Sequence, residues 1–202
     1  VNLPDEAIRH GDLYKMMVRW DGGEGQRIPA YATRVVQDSD TAIFSAQVWE
    51  PAETYQWSCG NFVPDTKPLL IYECHIGMAQ NREGVGTYSE FREKVLPRIA
   101  ADGYNAIQIM AIQEHPYYGS FGYHVSSFFA ASSRFGAPEE LKALIDAAHA
   151  EGIAVIMDIV HSHAVKNEVE GLGRLDGSYD LYFYGDGRRE HPAWDSLCFD
   201  YG

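Results

Sequence analysis

Three clusters of polar residues stand where chemistry could be done. Glu73 and His75 fall in one apolar run; Glu114-His115-Pro116-Tyr117-Tyr118 is followed by Gly122-Tyr123-His124; and Asp158 precedes His161-Ser162-His163. Carboxylates and imidazoles hold or pass protons near neutral pH and ligate metals. Asp158 closes the run Ile153-Ala154-Val155-Ile156-Met157, and an ionised carboxylate beside apolar strand residues costs several kcal/mol unless it is paired or hydrogen-bonded. It either ties a neighbouring loop through backbone N–H groups or orients a basic partner or a substrate. His161 and His163, two residues apart, could ligate a metal, but they follow a third strand, where an imidazole donating to a hydroxyl is the better reading. Tyr123 lies in Gly119-Ser120-Phe121-Gly122-Tyr123, where small residues let the backbone approach closely. Such a ring could stack on a sugar's apolar face or plug the end of a barrel, and spacing alone leaves both open.

The elements that must position these residues are legible in the periodicity. From Asp12 to Trp49 short strand-like runs alternate with turn residues such as Asp21-Gly22-Gly23, which predicts β structure. Residues 50–68, punctuated by Pro51, Pro64 and Pro68, predict a linker. After Pro68 the period changes. A strand is expected over 69–76, then a helix opened by the Thr87/Glu90 capping box, carrying Phe91, Val95 and Ile99 on one face and stopped at Gly103. A second strand (106–112), a Gly- and aromatic-rich loop (113–136), a helix from Pro138 to Gly152 and a third strand (153–160) follow, and residues 161–202 read as one long loop. Continuous apolar strands alternating with helices indicate a parallel sheet covered on both sides, either the first third of a closed barrel or an open doubly wound sheet. The working face of either is the carboxyl end of the strands, where all three clusters fall.

Composition narrows the partners. The 202 residues carry a formal net charge of −13 with sixteen scattered basic residues, which argues against nucleic acid. No apolar run approaches the roughly 20 residues that cross a bilayer, and the start lacks a basic-then-apolar leader. Three cysteines without a C-x-x-C pair offer neither a disulfide framework nor a zinc knuckle, which points to reduced thiols in a cytoplasm. A barrel enzyme usually needs about 250 residues, so a barrel reading implies a truncated chain. No Gly-x-Gly-x-x-Gly follows a strand, which removes a dinucleotide-binding sheet.

From Leu69 to Gly202 the chain resembles the α-amylase superfamily, and within it the α-1,4-glucan branching enzymes of eukaryotic type. The resemblance rests on Ile71-Tyr72-Glu73-Cys74-His75-Ile76-Gly77, on residues 103–112 and 114–123, on 126–136, on Asp158-Ile159-Val160-His161-Ser162-His163, and on residues 194–202. It implies an α/β fold in which about three units of a (β/α)8 TIM barrel (69–202) follow a linker (51–68) and the end of a β-sandwich carbohydrate-binding module (1–50). It further implies that Asp158 helps hold an arginine beside the nucleophile, that His163 hydrogen-bonds the sugar at the cleaved bond, and that Tyr123 stacks on that sugar. Ser162 replaces the commoner asparagine, which supports the branching subfamily and weakens a case for calcium, so neither metal nor cofactor is expected.

The reaction implied is cleavage of an α-1,4-glucan with retention and transfer to a 6-hydroxyl in glycogen or starch. The nucleophile, acid and stabilising carboxylates are expected beyond Gly202, so that the chain alone is inactive and no catalytic residue is assigned within it. The rivals are a debranching isoamylase, an amylase, or an inactive carbohydrate-binding relative.

Overall fold

A computed structural model describes residue 4, residues 7–65 and residues 67–202. In chain order the strands are β1 (Leu13–Tyr14), β2 (Met16–Trp20), β3 (Gly23–Arg27), β4 (Val35–Gln37), β5 (Phe44–Gln47), β6 (Ile71–Cys74), β7 (Ala106–Ile109), β8 (Gln113–Glu114), β9 (Ser127–Ala131), β10 (Ala154–Met157), β11 (His163–Val165), β12 (Glu190–His191) and β13 (Ser196–Cys198). The α-helices are α1 (Tyr88–Glu90), α2 (Leu96–Ala101) and α3 (Pro138–Ala150). They form two compact units, each assembled from separated stretches: the segment up to Ala52 with 113–131 and 160–202, and residues 53–112 with 132–159.

The second unit is α/β. β6, β7 and β10 form a parallel sheet in the order β10-β7-β6, pairing Ile71 and Ala154 with Ala106 through to Cys74 and Met157 with Ile109. The strands are shorter than the apolar runs that contain them, because the ladder ends where the chain turns away. Asn105 fixes the register at its start: its side-chain oxygen accepts from Leu70 N–H at 2.7 Å, and its amide donates to the Pro68 carbonyl at 3.1 Å. The central strand β7 buries Ala106, Ile107 and Ile109, whereas the edge strands leave Ile71, Tyr72 and Met157 at the surface.

Both expected helices form. Thr87 caps α1 through its hydroxyl to the Glu90 N–H, and the Glu90 carboxylate returns to the Thr87 N–H, a capping box. The helix is not regular throughout, however. Phe91–Val95 widens into a π turn in which the Leu96 N–H reaches the Phe91 carbonyl. Pro97 supplies the reason: it has no N–H to donate, and its ring crowds the carbonyl four residues earlier, so the preceding turn opens. α3 starts at Pro138 with the Glu140 carboxylate accepting from the Ala137 N–H, and Gly152 (φ +75°) leaves it in the left-handed region. The Ser89 hydroxyl on the Glu140 carboxylate joins α1 to α3.

The first unit is all β. β2 and β3 form a hairpin across Asp21-Gly22, with Gly22 at φ +88° as a two-residue turn demands. Beside it, β1, β5 and β4 form an antiparallel sheet whose buried Val35, Phe44 and Ala46 pack with Ile28, Ala32 and Ala130. Among the short strand-like runs expected between Asp12 and Trp49, the one from Leu13 to Trp20 is broken at Lys15, since its two halves pair with different partners. The expected loops at 113–136 and 161–202 also hold sheet. β8 pairs with β9, and β11-β13-β12 form a small antiparallel sheet over a core of Ala164, Leu172, Phe183 and Leu197. Strands of two or three residues are too short to show a period, so only pairing across distant segments reveals them.

Candidate functional site

β11 and the turn before Val125 bring two of the three expected site residues together. Tyr123 follows Phe121 (φ +55°) and Gly122 (φ +94°), two consecutive left-handed residues that reverse the chain, and its N–H is held by the Ser120 carbonyl at 3.0 Å. A non-glycine residue held this way stores strain of about 1 kcal/mol, and such strain gathers at functional segments. His163 opens β11, which Val165 ties to the same segment through its N–H to the Val125 carbonyl. The His163 Nε2 lies 2.9 Å from the Tyr123 carbonyl oxygen, and its Nδ1 lies 2.9 Å from the Ser162 hydroxyl. A carbonyl oxygen only accepts, so Nε2 carries the proton and Nδ1 accepts from Ser162. Burial pushes the imidazole's pKa below its ordinary value of 6.5; the bond to Tyr123 opposes the shift, and His124 and His191 add to it. His163 is therefore a neutral, single-tautomer donor near neutral pH.

Ser162 is a residue whose role the sequence leaves unread. It stands out by type against the commoner asparagine, but only the geometry shows its hydroxyl setting the tautomer of its neighbour. Gln113 is a second: its amide donates to the Phe128 carbonyl at 3.0 Å while its side-chain oxygen accepts from the Val160 N–H at 2.9 Å. That clamp holds the start of the segment carrying His163, and nothing in local sequence marks it.

Asp158 lies in the α/β unit at the carboxyl end of β10, where its backbone N–H extends the ladder to the Ile109 carbonyl at 3.0 Å. His161 is exposed, with its carbonyl accepting from the Tyr201 hydroxyl. Glu114 and His115 are sealed inside the β unit, the His115 Nδ1 donating to the Gln113 carbonyl, so a ligand at the surface meets neither. Glu73 is exposed on an edge strand, while buried His75 sets its ring edge on Phe135. Cys74 is a buried thiol raised to about 12 by burial and then by Glu73, hence protonated and chemically quiet. Among the described residues no group of three His, Cys, Asp or Glu side chains converges to hold a metal, and no helix is long and apolar enough to cross a membrane.

Comparison with known proteins adds a second line. Residues 78–192 match the family described as Alpha amylase, catalytic domain. Proteins named 1,4-alpha-glucan-branching enzyme are 49% identical in Yarrowia lipolytica, 48% in Saccharomyces cerevisiae and 46% in Dictyostelium discoideum, across 97% to 98% of this chain. The chain spans 29% to 30% of the length of these curated relatives. Among solved structures, a Salmonella typhimurium chain assigned as an α-amylase superposes with a TM-score of 0.67 at 27% identity, over 95% of this chain and 30% of its own. The GBS pullulanase SAP in complex with maltotetraose superposes at 0.64 and 19% identity, over 93% and 29%, which bears on the fold alone.

Proposed function

Because the chain belongs to the α-amylase catalytic-domain family, with its α/β barrel-type fold, we propose that it is part of a branching enzyme that cleaves an α-1,4-glucan with retention and transfers the freed chain to a 6-hydroxyl. One observation carries this reading: relatives bearing the branching-enzyme name match at 46% to 50% identity across nearly the whole chain. Within it, residues 69–202 supply about the first three units of the barrel, 51–68 the linker, and 1–50 the end of a β-sandwich carbohydrate-binding module. The antiparallel pairing of β1, β5 and β4 supports the last assignment.

The α-glucan is held by Tyr123, His163 and Asp158 in this reading. The Tyr123 ring stacks on the sugar's C–H face. His163, protonated on Nε2, already has the proton a sugar hydroxyl oxygen would accept. In this structure that proton goes to the Tyr123 carbonyl, so an arriving hydroxyl competes with the carbonyl or shares the donor with it. Asp158 orients a basic partner.

Retaining transfer needs two carboxyl groups about 5 to 5.5 Å apart. None of the carboxylates in this chain matches the family's nucleophile, acid or stabiliser, so the 202-residue chain alone is inactive. A cytoplasmic setting fits its free thiols.

The test is incubation of amylose with the protein at its natural full length and, separately, with this chain. New α-1,6 linkages, seen by proton NMR, are expected only from the former. Hydrolysis without new linkages would instead indicate an amylase, and loss of existing α-1,6 linkages from glycogen a debranching enzyme.

A further inference from the structure

Trp194 sits in the loop joining β12 to β13, whose ends are paired through His191 and Ser196. Its backbone is fixed at both polar groups: the N–H donates to the His191 carbonyl at 3.1 Å, and the carbonyl accepts from the His124 Nε2 at 2.8 Å. The next residue, Asp195, is held at φ +47°, a conformation that residues with a Cβ avoid, and its carboxylate is pinned by the Lys166 ammonium at 2.8 Å. The indole lies nearly flat on the His191 imidazole, with centroids 4.0 Å apart and planes 16° apart, and it tilts against the His163 ring at 5.1 Å.

With all these restraints, 52% of Trp194 remains exposed. Leaving half an indole in water forgoes stabilisation that burial would bring, and here a strained turn and a hydrogen-bonded backbone keep it so. A rigid, exposed aromatic surface suits a ligand with an apolar face and a hydroxyl rim, and needs no charge on that ligand. A glucose ring of an α-glucan has that chemistry. Contact with His163 makes the surface continuous with the pair at Tyr123.

We propose that Trp194 is a stacking platform for an α-glucan, positioning the sugar next to the one held at Tyr123 and His163. The inference rests on the glucan reading above.

The test is oxidative footprinting of the native full-length protein with N-bromosuccinimide, read residue by residue by mass spectrometry, with and without maltoheptaose. Trp57, 45% exposed and outside this cluster, is the internal control. Maltoheptaose is expected to slow oxidation of Trp194 several-fold and leave Trp57 unchanged. In parallel, Trp194→Ala should weaken retention on amylopectin gels roughly fivefold to tenfold, and Trp194→Phe should restore most of it. Retention of the wild type with Trp194 unprotected overturns this inference alone. Failure of the wild type to be retained overturns the glucan reading and this inference together.

Discussion

The His163 Nε2 points at the Tyr123 backbone carbonyl from 2.9 Å, so the imidazole and the segment that presents the tyrosine ring are fixed to one another. The link is directional, because Ser162 donates to the other ring nitrogen and leaves a single tautomer. A group so held is preorganised as a donor, and its contribution should be felt in the rate as well as in binding.

Replacing His163 by Ala in the full-length protein should therefore lower turnover on amylose by about tenfold to a hundredfold, as loss of one oriented hydrogen bond in the transition state does. Steady-state kinetics checks this, and an unchanged kcat would remove His163 from the site.

The Tyr123 backbone carbonyl meets His163, and in the proposed glucan site the tyrosine ring is the part open to substitution. Tyr123→Phe should leave KM for amylose close to wild type, whereas Tyr123→Ala should raise it by roughly threefold to tenfold. Equal effects of the two variants would show that the phenol hydroxyl, not the ring, is used.

Protonation of His163 is opposed by burial, so its folded pKa lies below the unfolded value of 6.5. In that case the unfolded chain binds more protons between the two values. The stabilisation tied to the neutral ring is fully present above pH 6.5 and is lost as pH falls through the folded pKa. His149, half-buried and stacked on Phe62 at 4.1 Å, shifts the same way through partial desolvation, despite the opposing charge of Asp146. Thermal unfolding should show the melting temperature falling below pH 6.5, less so in His163→Asn. An imidazole NMR titration of His163 with a midpoint at or above 6.5 would contradict the geometry.

Asp146 anchors the segment before the barrel strands. Its carboxylate accepts from the Tyr55 hydroxyl, the Ser58 N–H and hydroxyl, and the Cys59 N–H, at 2.6 to 3.2 Å. Chiefly through the two bonds from Ser58 its pKa falls from 3.8 to about 2, so this contribution is complete above pH 3.8 and disappears as pH drops towards 2. Asp146→Ala should lower the melting temperature by several degrees and expose residues 53–62 to limited proteolysis. Unaltered cleavage there would show that the loop is held by other contacts.

The sequence by itself determined the local grammar. The Thr87/Glu90 capping box, the glycines ending both helices and the apolar strand cores are written in neighbouring residues, because each depends on interactions three or four positions apart or on one residue's backbone freedom. Only the tertiary structure decided what depends on segments far apart in the chain. The short strands β8, β9 and β11 to β13, the fourfold grip on Asp146 and the tautomer of His163 all belong to that class. Residue type says that a histidine can donate. Which nitrogen does so, and to what, is set by a carbonyl forty positions away.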